Sequence, residues 1–402
     1  MPSFPYWRLS GFYFFYFAFV GAFSPYWSLY LKSLDFSAAE IGVLMSLLLV
    51  TRIFAPTLWG WLADRSGKRV GIIRVAAVLS LASYFGVFFG GSFWWMFVVM
   101  ALLSFFWSAS LPLVEATTLS HLGDSAASYG RVRLWGSIGF IVAVIGIGYV
   151  LDVAEVRTLL WLVLGLMTGI VIFSRHIPEA EIVTHHTDRY PAWQILKRPE
   201  VAALFAGCFL MAAAHGPYYT FYSLYLVEHD YSKGAIGWLW ALGAICEIAV
   251  FIGMPRLMQR FSLPQILSAS FLLAVIRFLL IGWLVDSVAA ILFAQMLHAA
   301  TFGSYHAAAV AAIHHFFRGR HQAKGQALYT SLTFGAGGTF GALMSGYVWD
   351  FLGASLTFSM ASLFALLGLA MHVRDLDALE HADRRAERQR RAGVVRVHVD
   401  LQ

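Results

Sequence analysis

Ser28 to Leu47 reads SLYLKSLDFSAAEIGVLMSL, and Ser223 to Leu242 reads SLYLVEHDYSKGAIGWLWAL. Aligned without a gap, ten of the twenty positions are identical: Ser28, Leu29, Tyr30, Leu31, Asp35, Ser37, Ile41, Gly42, Leu44 and Leu47 each match the residue 195 further on. That offset is close to half of the 402-residue chain, and the copies run in the same direction, so the chain reads as two parallel copies of one unit. Each copy ends one apolar run, turns through Asp-aromatic-Ser and begins the next, as a link between two membrane helices does.

Composition sets the class. With 59% apolar and 12% charged residues and a mean hydropathy of +0.70, the chain has too little polar surface to coat a soluble globule. A multi-pass, all-α membrane protein follows, because helices satisfy their own backbone groups where no water can. Twelve apolar runs near the length needed to cross hydrocarbon lie at 8–31, 41–62, 71–90, 93–117, 130–151, 157–174, 200–227, 234–254, 265–285, 288–316, 325–349 and 353–373. They predict a six-helix bundle over 1–174, a polar linker over 175–199, a second bundle over 200–373 and a basic tail over 374–402.

Positive residues stay on the cytoplasmic side of such proteins. With the N-terminus inside, 23 of the 28 Lys and Arg residues fall on cytoplasmic links, helix mouths and the tail; only Lys32, Arg157 and Lys233 fall outside, and Arg52 and Arg277 lie within the membrane. Both termini are expected to be cytoplasmic and the protein to sit in the inner membrane. The opening MPSFPYWRLS has no basic region followed by a small-residue cleavage site, so the first helix is expected to stay as an anchor. Cys208 and Cys246 fall in apolar helices and suggest neither a disulfide nor a metal site. His185 and His186, adjacent in the linker without further ligands, read as solvated residues, so no metal or other cofactor is expected. The net charge of +6 belongs to the loops and tail, with no folded basic domain to bind nucleic acid; the tail reads first as a solubilising segment, with contact to anionic lipid headgroups as the alternative.

The link after the second run, Gly60-Trp-Leu-Ala-Asp64-Arg65-Ser-Gly67-Lys68-Arg69, resembles the cytoplasmic signature of the major facilitator superfamily. Its glycines permit a tight turn and close helix approach, while Asp64, Arg65, Lys68 and Arg69 can form charge-assisted bonds that break as two halves rock, or can simply set topology. The matching link in the second half, Pro255 to Pro264, keeps Arg256 and Arg260 but no acid.

Charges inside the membrane cost at least about 2.5 to 3.5 kcal/mol each, so they pair or face a cavity. Glu115 and Arg133 flank a short link that can bring them to similar depth. Together with Gly130 to Gly136 they resemble lactose permease and its relatives, in which the corresponding acid and arginine help bind substrate; a structural ion pair is the alternative. Arg52 and Glu247 are again 195 apart, at equivalent places of opposite charge. Arg277, His215, His298 and His306 add intramembrane polar groups, and imidazole can exchange protons near neutrality, although a lone histidine on an apolar helix is more often a core donor. The segments GAFSPYWSLYLK, YGRVRLWGS, AHGPYYTFY and IGWLWALGAICE, with Arg277 and Gln295-Met-Leu-His298, resemble the 3-phenylpropionate transporter family within the lactose-permease-like branch. Lactose permease carries a lysine, a histidine and a carboxylate along its tenth helix; Gln295, His298 and Thr301 stand here, so its acid cannot be carried over.

The resemblance implies a secondary transporter, acting as a monomer, that alternates a central site between the two faces. Its expected cargo is an aromatic carboxylate such as 3-phenylpropionate, taken up with a proton; a nucleoside or sugar symporter of the same fold is the alternative, and a non-transporting sensor a third. Substrate contacts are expected from Glu115, Arg133, Arg277, His215, Tyr218 and Trp240, with Tyr26, Trp27, Phe140 and Tyr219 as further aromatic surface. Proton coupling falls to Glu247 and His298, with Arg52, Gln295 and His306 as other polar groups in the membrane. No Gly-x-Ser-x-Gly, His-Glu-x-x-His or phosphate-binding Gly-x-x-x-x-Gly-Lys-Ser/Thr pattern is present, so neither a membrane enzyme nor an ATP-driven pump is expected.

Overall fold

The computed structural model describes residues 4–123, 129–180, 193–318 and 321–399, and among them every regular element is helical. The first half contains α1 (Tyr6–Lys32), α2 (Ala38–Ser66), α3 (Arg69–Tyr84, extended by a 3-10 turn to Phe88), α4 (Phe93–Leu122), α5 (Tyr129–Val153) and α6 (Thr158–His176). After a single turn at Trp193–Leu196 comes α7, made of Pro199–Ala214 and Gly216–Glu228 joined at His215. Then follow α8 (Lys233–Arg260), α9 (Leu263–Trp283) and α10 (Val288–Phe316), the last carrying a π-helical turn at Ala299–Ser304. Beyond Gln322, α11 runs through a second π segment, Thr330–Gly337, to a break at Gly353 (φ 79°, ψ 179°), and α12 continues from there to Val399.

Among the described residues, ten stretches are long and apolar enough to cross a membrane. The 27-residue α1 is long enough but less apolar than these; its Tyr13, Tyr16, Tyr26 and Tyr30 are buried against protein, so this helix needs no lipid-compatible surface. The stretch Lys324–His372 spans 49 residues, more than one crossing requires, and Gly353 divides it in a conformation that disfavours any residue with a Cβ. Large aromatic side chains stand out at the bundle ends, among them Trp7 (68% exposed), Trp94 (72%) and Phe351 (82%), where an interfacial belt would lie.

The internal repeat is legible in the backbone. Asp35 and Asp230, in the matching links, both take left-handed conformations, with φ of 63° and 62°. Two residues later Ser37 and Ser232 cap α2 and α8, each accepting a hydrogen bond from the N–H three residues on. Within each half the helices pack mainly on one another, while α2 with α11, α5 with α8 and α1 with α7 join the halves.

These inter-half contacts gather at one end. In α2 they run from Ala38 to Ile53, whose carbonyl accepts from the Ser331 hydroxyl at 3.1 Å; Gly60 further along has no neighbouring atom within 4 Å of the place its Cβ would occupy. In α8 the buried residues are Gly234 to Gly243 and then Met254 alone. The halves therefore diverge toward the end that carries the basic links.

The linker is not wholly a solvated tether. Its first residues dock on the first half: Glu179 accepts the Val70 N–H at 2.9 Å, and Arg74 donates to the Ile177 carbonyl at 2.7 Å. His185 and His186 lie outside the described residues.

Candidate functional site

Two clusters face each other between the halves. In the first half, Tyr129 donates from its hydroxyl to Glu115 Oε1 at 3.2 Å. Arg133, one turn along α5, lays its guanidinium carbon 3.8 Å from the Phe17 ring centre, close enough for a cation–π attraction. Gly136 makes this placement possible, since a Cβ there would come 2.7 Å from both Arg133 Nη1 and Phe17. No ion pair within 4.0 Å joins Glu115 to Arg133, so the alternative of a structural ion pair is not realised in this conformation. Among the described residues Arg133 has no hydrogen-bonding partner. Beside it an aromatic wall is built from Tyr16 stacked on Trp107 (4.2 Å, 11°) and Phe19 against the same indole (4.1 Å).

In the second half the chain brings together Arg277, His215, Tyr218, Gln295, Trp240, His298 and Glu247. Arg277 is fully buried. Its Nε donates to the Ala294 carbonyl (3.1 Å), Nη1 to the Thr301 hydroxyl (3.2 Å) and to His215 Nε2 (3.4 Å), and Nη2 to Gln295 Oε1 (3.4 Å). The other ring nitrogen of His215 donates to the Met211 carbonyl at 2.8 Å, which leaves Nε2 as the acceptor that Arg277 needs. Gln295 turns its amide to the Tyr218 hydroxyl (3.1 Å) and the Leu239 carbonyl (2.9 Å), and Tyr218 supports the guanidinium from 4.2 Å. Trp240 packs tilted against Tyr218, ring centres 4.6 Å apart, while its indole N–H donates to Ser223.

For Arg277 a substrate contact and a structural role were both expected; its donors are turned inward, and it works here as the hub tying α7 and α10 to α9. Arg277→Ala should remove these bonds and leave a cavity among unpartnered acceptors, a loss of about 3 kcal/mol. The unfolding midpoint of the purified protein in detergent measures it.

Glu247 lies at the edge of this network. Its Oε2 is 3.9 Å from His298 Nε2, while His298 Nδ1 is buried without a hydrogen-bonding partner. Gly243 and Gly303 clear the space: Cβ atoms there would meet His298 and Glu247 at 3.2 Å. Gly303 belongs to the π-helical turn of α10, a feature frequent at functional sites. His306 stands apart and meets the Tyr329 hydroxyl at 3.0 Å. Arg52, on α2, is exposed. Tyr26, offered as aromatic surface, instead donates to the carbonyls of Val144 and Lys233 (2.7 and 3.1 Å).

The signature after α2 lies at the far end. Gly67, at φ 65°, ends α2 with its N–H on the Ala63 carbonyl. Arg65 lies over Trp61 at 5.4 Å, the Lys68 N–H donates to Ser66, and Arg69 donates to Ser120 on α4. Asp64 is exposed and, among the described residues, forms no hydrogen bond or ion pair. Sequence inspection missed Tyr129, Phe17 and Thr301 as partners. Tyr129 opens the quoted YGRVRLWGS segment and Thr301 stands in the quoted tenth-helix set with Gln295 and His298; Phe17 had no local signal.

A family model described as the MFS_1 like family matches residues 6–360. The probable 3-phenylpropionic acid transporter of Escherichia coli (strain K12) is 28% identical over 353 residues, covering 87% of this chain and 92% of that protein. Maltose permease of Geobacillus stearothermophilus is 29% identical over 381 residues, covering 90% and 92% respectively. Among solved structures, the D323A mutant of the nucleoside transporter NupG superposes with a TM-score of 0.83 at 18% identity, over 92% of this chain and 98% of the other. Helical bundle, internal repeat, signature and family match agree: the chain belongs to the MFS_1 like family and is a multi-pass membrane transporter of the major facilitator superfamily.

Proposed function

We propose that the protein is a proton-coupled carrier of an aromatic carboxylate, of which 3-phenylpropionate is the working example. The observation that carries this reading is Arg133: a guanidinium without a hydrogen-bonding partner, laid over Phe17 beside the Tyr16–Trp107 stack. A carboxylate seeks the cation, and the attached ring finds aromatic surface. The likeness to the Escherichia coli protein supports the same cargo. We assign proton coupling to Glu247, whose carboxylate stands 3.9 Å from His298 in the second cluster.

The ten apolar stretches, α1 and the division at Gly353 support twelve crossings in two bundles, 1–174 and 200–373, and the basic links support cytoplasmic termini in an inner membrane. On that orientation the closed end faces outward and the central site opens to the cytoplasm. One chain carries both clusters, so a monomer suffices.

Uptake of labelled 3-phenylpropionate into proteoliposomes, with and without an inwardly directed proton gradient, tests the proposal. Gradient-driven accumulation is the expected result. The resemblance to maltose permease and NupG favours a sugar or nucleoside as the second reading; uptake of maltose or uridine that 3-phenylpropionate leaves uninhibited would select it. Among the described residues Asp64 has no bond in the present conformation, and we assign its partners to the opposite one. Asp64→Ala should slow turnover by about tenfold while leaving substrate affinity in detergent unchanged, and loss of binding in a correctly inserted mutant would place Asp64 outside gating.

A further inference from the structure

The closed end is held by two carboxylates that neither the signature nor the central clusters use. Asp350, on α11, accepts the N–H groups of Ala38 and Ala39 at 3.0 and 2.8 Å. Asp152, near the end of α5, accepts those of Lys233 and Gly234 at 2.7 and 2.9 Å. In each case the acid comes from one half and the helix start from the other. The recipients are related by the same 195-residue offset that defines the repeat.

Division of work at these helix starts is strict. A helix leaves its first N–H groups without internal partners. Ser37 and Ser232 satisfy the third one, on Glu40 and Ala235. Asp350 and Asp152 take the first two in each helix, so neither N-terminus is fully capped unless the halves are in contact. Backbone packing beneath is equally close: a Cβ on Gly42 or Gly346 at one crossing, or on Gly148 or Gly237 at the other, would come within 3.0 Å of backbone atoms of the facing helix. Tyr26 adds a bond to Lys233 at the α5–α8 crossing, while its repeat counterpart, Phe221, has no hydroxyl and stacks on Trp349.

We propose that Asp152 and Asp350 are paired latches that hold the end of the carrier opposite its basic links closed by capping the first turns of α8 and α2 across the interface. Opening this end must part α2 from α11 and α8 from α5, which breaks all four bonds together. Loss of one helix cap shifts an equilibrium by about fivefold, and loss of both by about 25-fold. The proposal rests on the alternating-access reading but not on the identity of the cargo.

Its test needs no substrate. Nitroxide labels on cysteines at Glu155 and Glu228 report the latched end, and labels at Ser66 and Gln259 report the opposite end, in a Cys208→Ser, Cys246→Ser background. Asp152→Ala with Asp350→Ala should raise the population with a long Glu155–Glu228 distance by about 25-fold relative to the closed one, and shorten the Ser66–Gln259 distance in the same molecules. Asp152→Asn with Asp350→Asn keeps one acceptor oxygen at each site and should give an intermediate shift. If the alanine pair fails to insert, the asparagine pair decides. Unchanged distances at the latched end in an inserted double variant would overturn the proposal.

Discussion

Arg133→Ala is expected to raise the half-saturating concentration of 3-phenylpropionate by about 100-fold or more, with protein abundance unchanged. Truncating one partner of a desolvated charge pair costs about 2 to 5 kcal/mol, and each 1.4 kcal/mol is about tenfold in affinity. The free protein should tolerate the change because, among the described residues, Arg133 has no ion pair to break; what it loses is the contact with the Phe17 and Tyr13 rings. Arg277→Ala should behave oppositely, with its main effect on stability, since its donors are consumed inside the protein. Arg133→Lys should recover only part of the affinity, because an ammonium cannot present two parallel N–H groups to a carboxylate while lying flat on a ring. Competition by 3-phenylpropionamide separates charge recognition from ring recognition: its weaker binding should be nearly the same in wild type and Arg133→Ala. An equal loss for acid and amide would assign Arg133 to packing.

The helical scaffold was legible because lipid imposes a simple code of apolar runs, and because the duplicated link keeps residues of specific backbone use. Asp35 and Asp230 share a left-handed backbone, and Ser37 and Ser232 share a cap, so twenty aligned letters carried the three-dimensional repeat. Charge inside the membrane located both central clusters. It could not say which cation was spoken for, because Arg277 is satisfied by a backbone carbonyl, a hydroxyl, an amide and an imidazole contributed by α7 and α10. Nothing near Arg277 in sequence distinguishes that network from a vacant site. The same holds for Asp152 and Asp350, ordinary acids near helix ends until the fold sets each against the first turn of a helix from the other half. The π-helical turns of α10 and α11 likewise have no signature in residue type; close packing of Gly303 on Glu247 and of Gly335 on Ile53 accompanies them.

For proton coupling, Glu247→Gln is expected to preserve exchange of labelled for unlabelled substrate across a membrane while abolishing accumulation driven by a proton gradient. Glutamine matches the carboxylate in size and still offers an acceptor toward His298, so the packing of Glu247 against Gly303 should survive. What disappears is the proton site. An acid at an interface whose hydration changes as the halves move can bind a proton in one conformation and release it in the other. Exchange returns the carrier with its substrate site occupied and moves no net proton, so it does not call on this cycle; uphill uptake does on every turn. The separation of the two assays is therefore the diagnostic. His298→Gln should reduce accumulation less, because its Nε2 stands 3.9 Å from the carboxylate and serves as neighbour to the proton site, not as the site itself. Loss of exchange and accumulation together in Glu247→Gln would make the residue a substrate contact or a structural support, and full uphill uptake in that variant would remove it from the coupling mechanism.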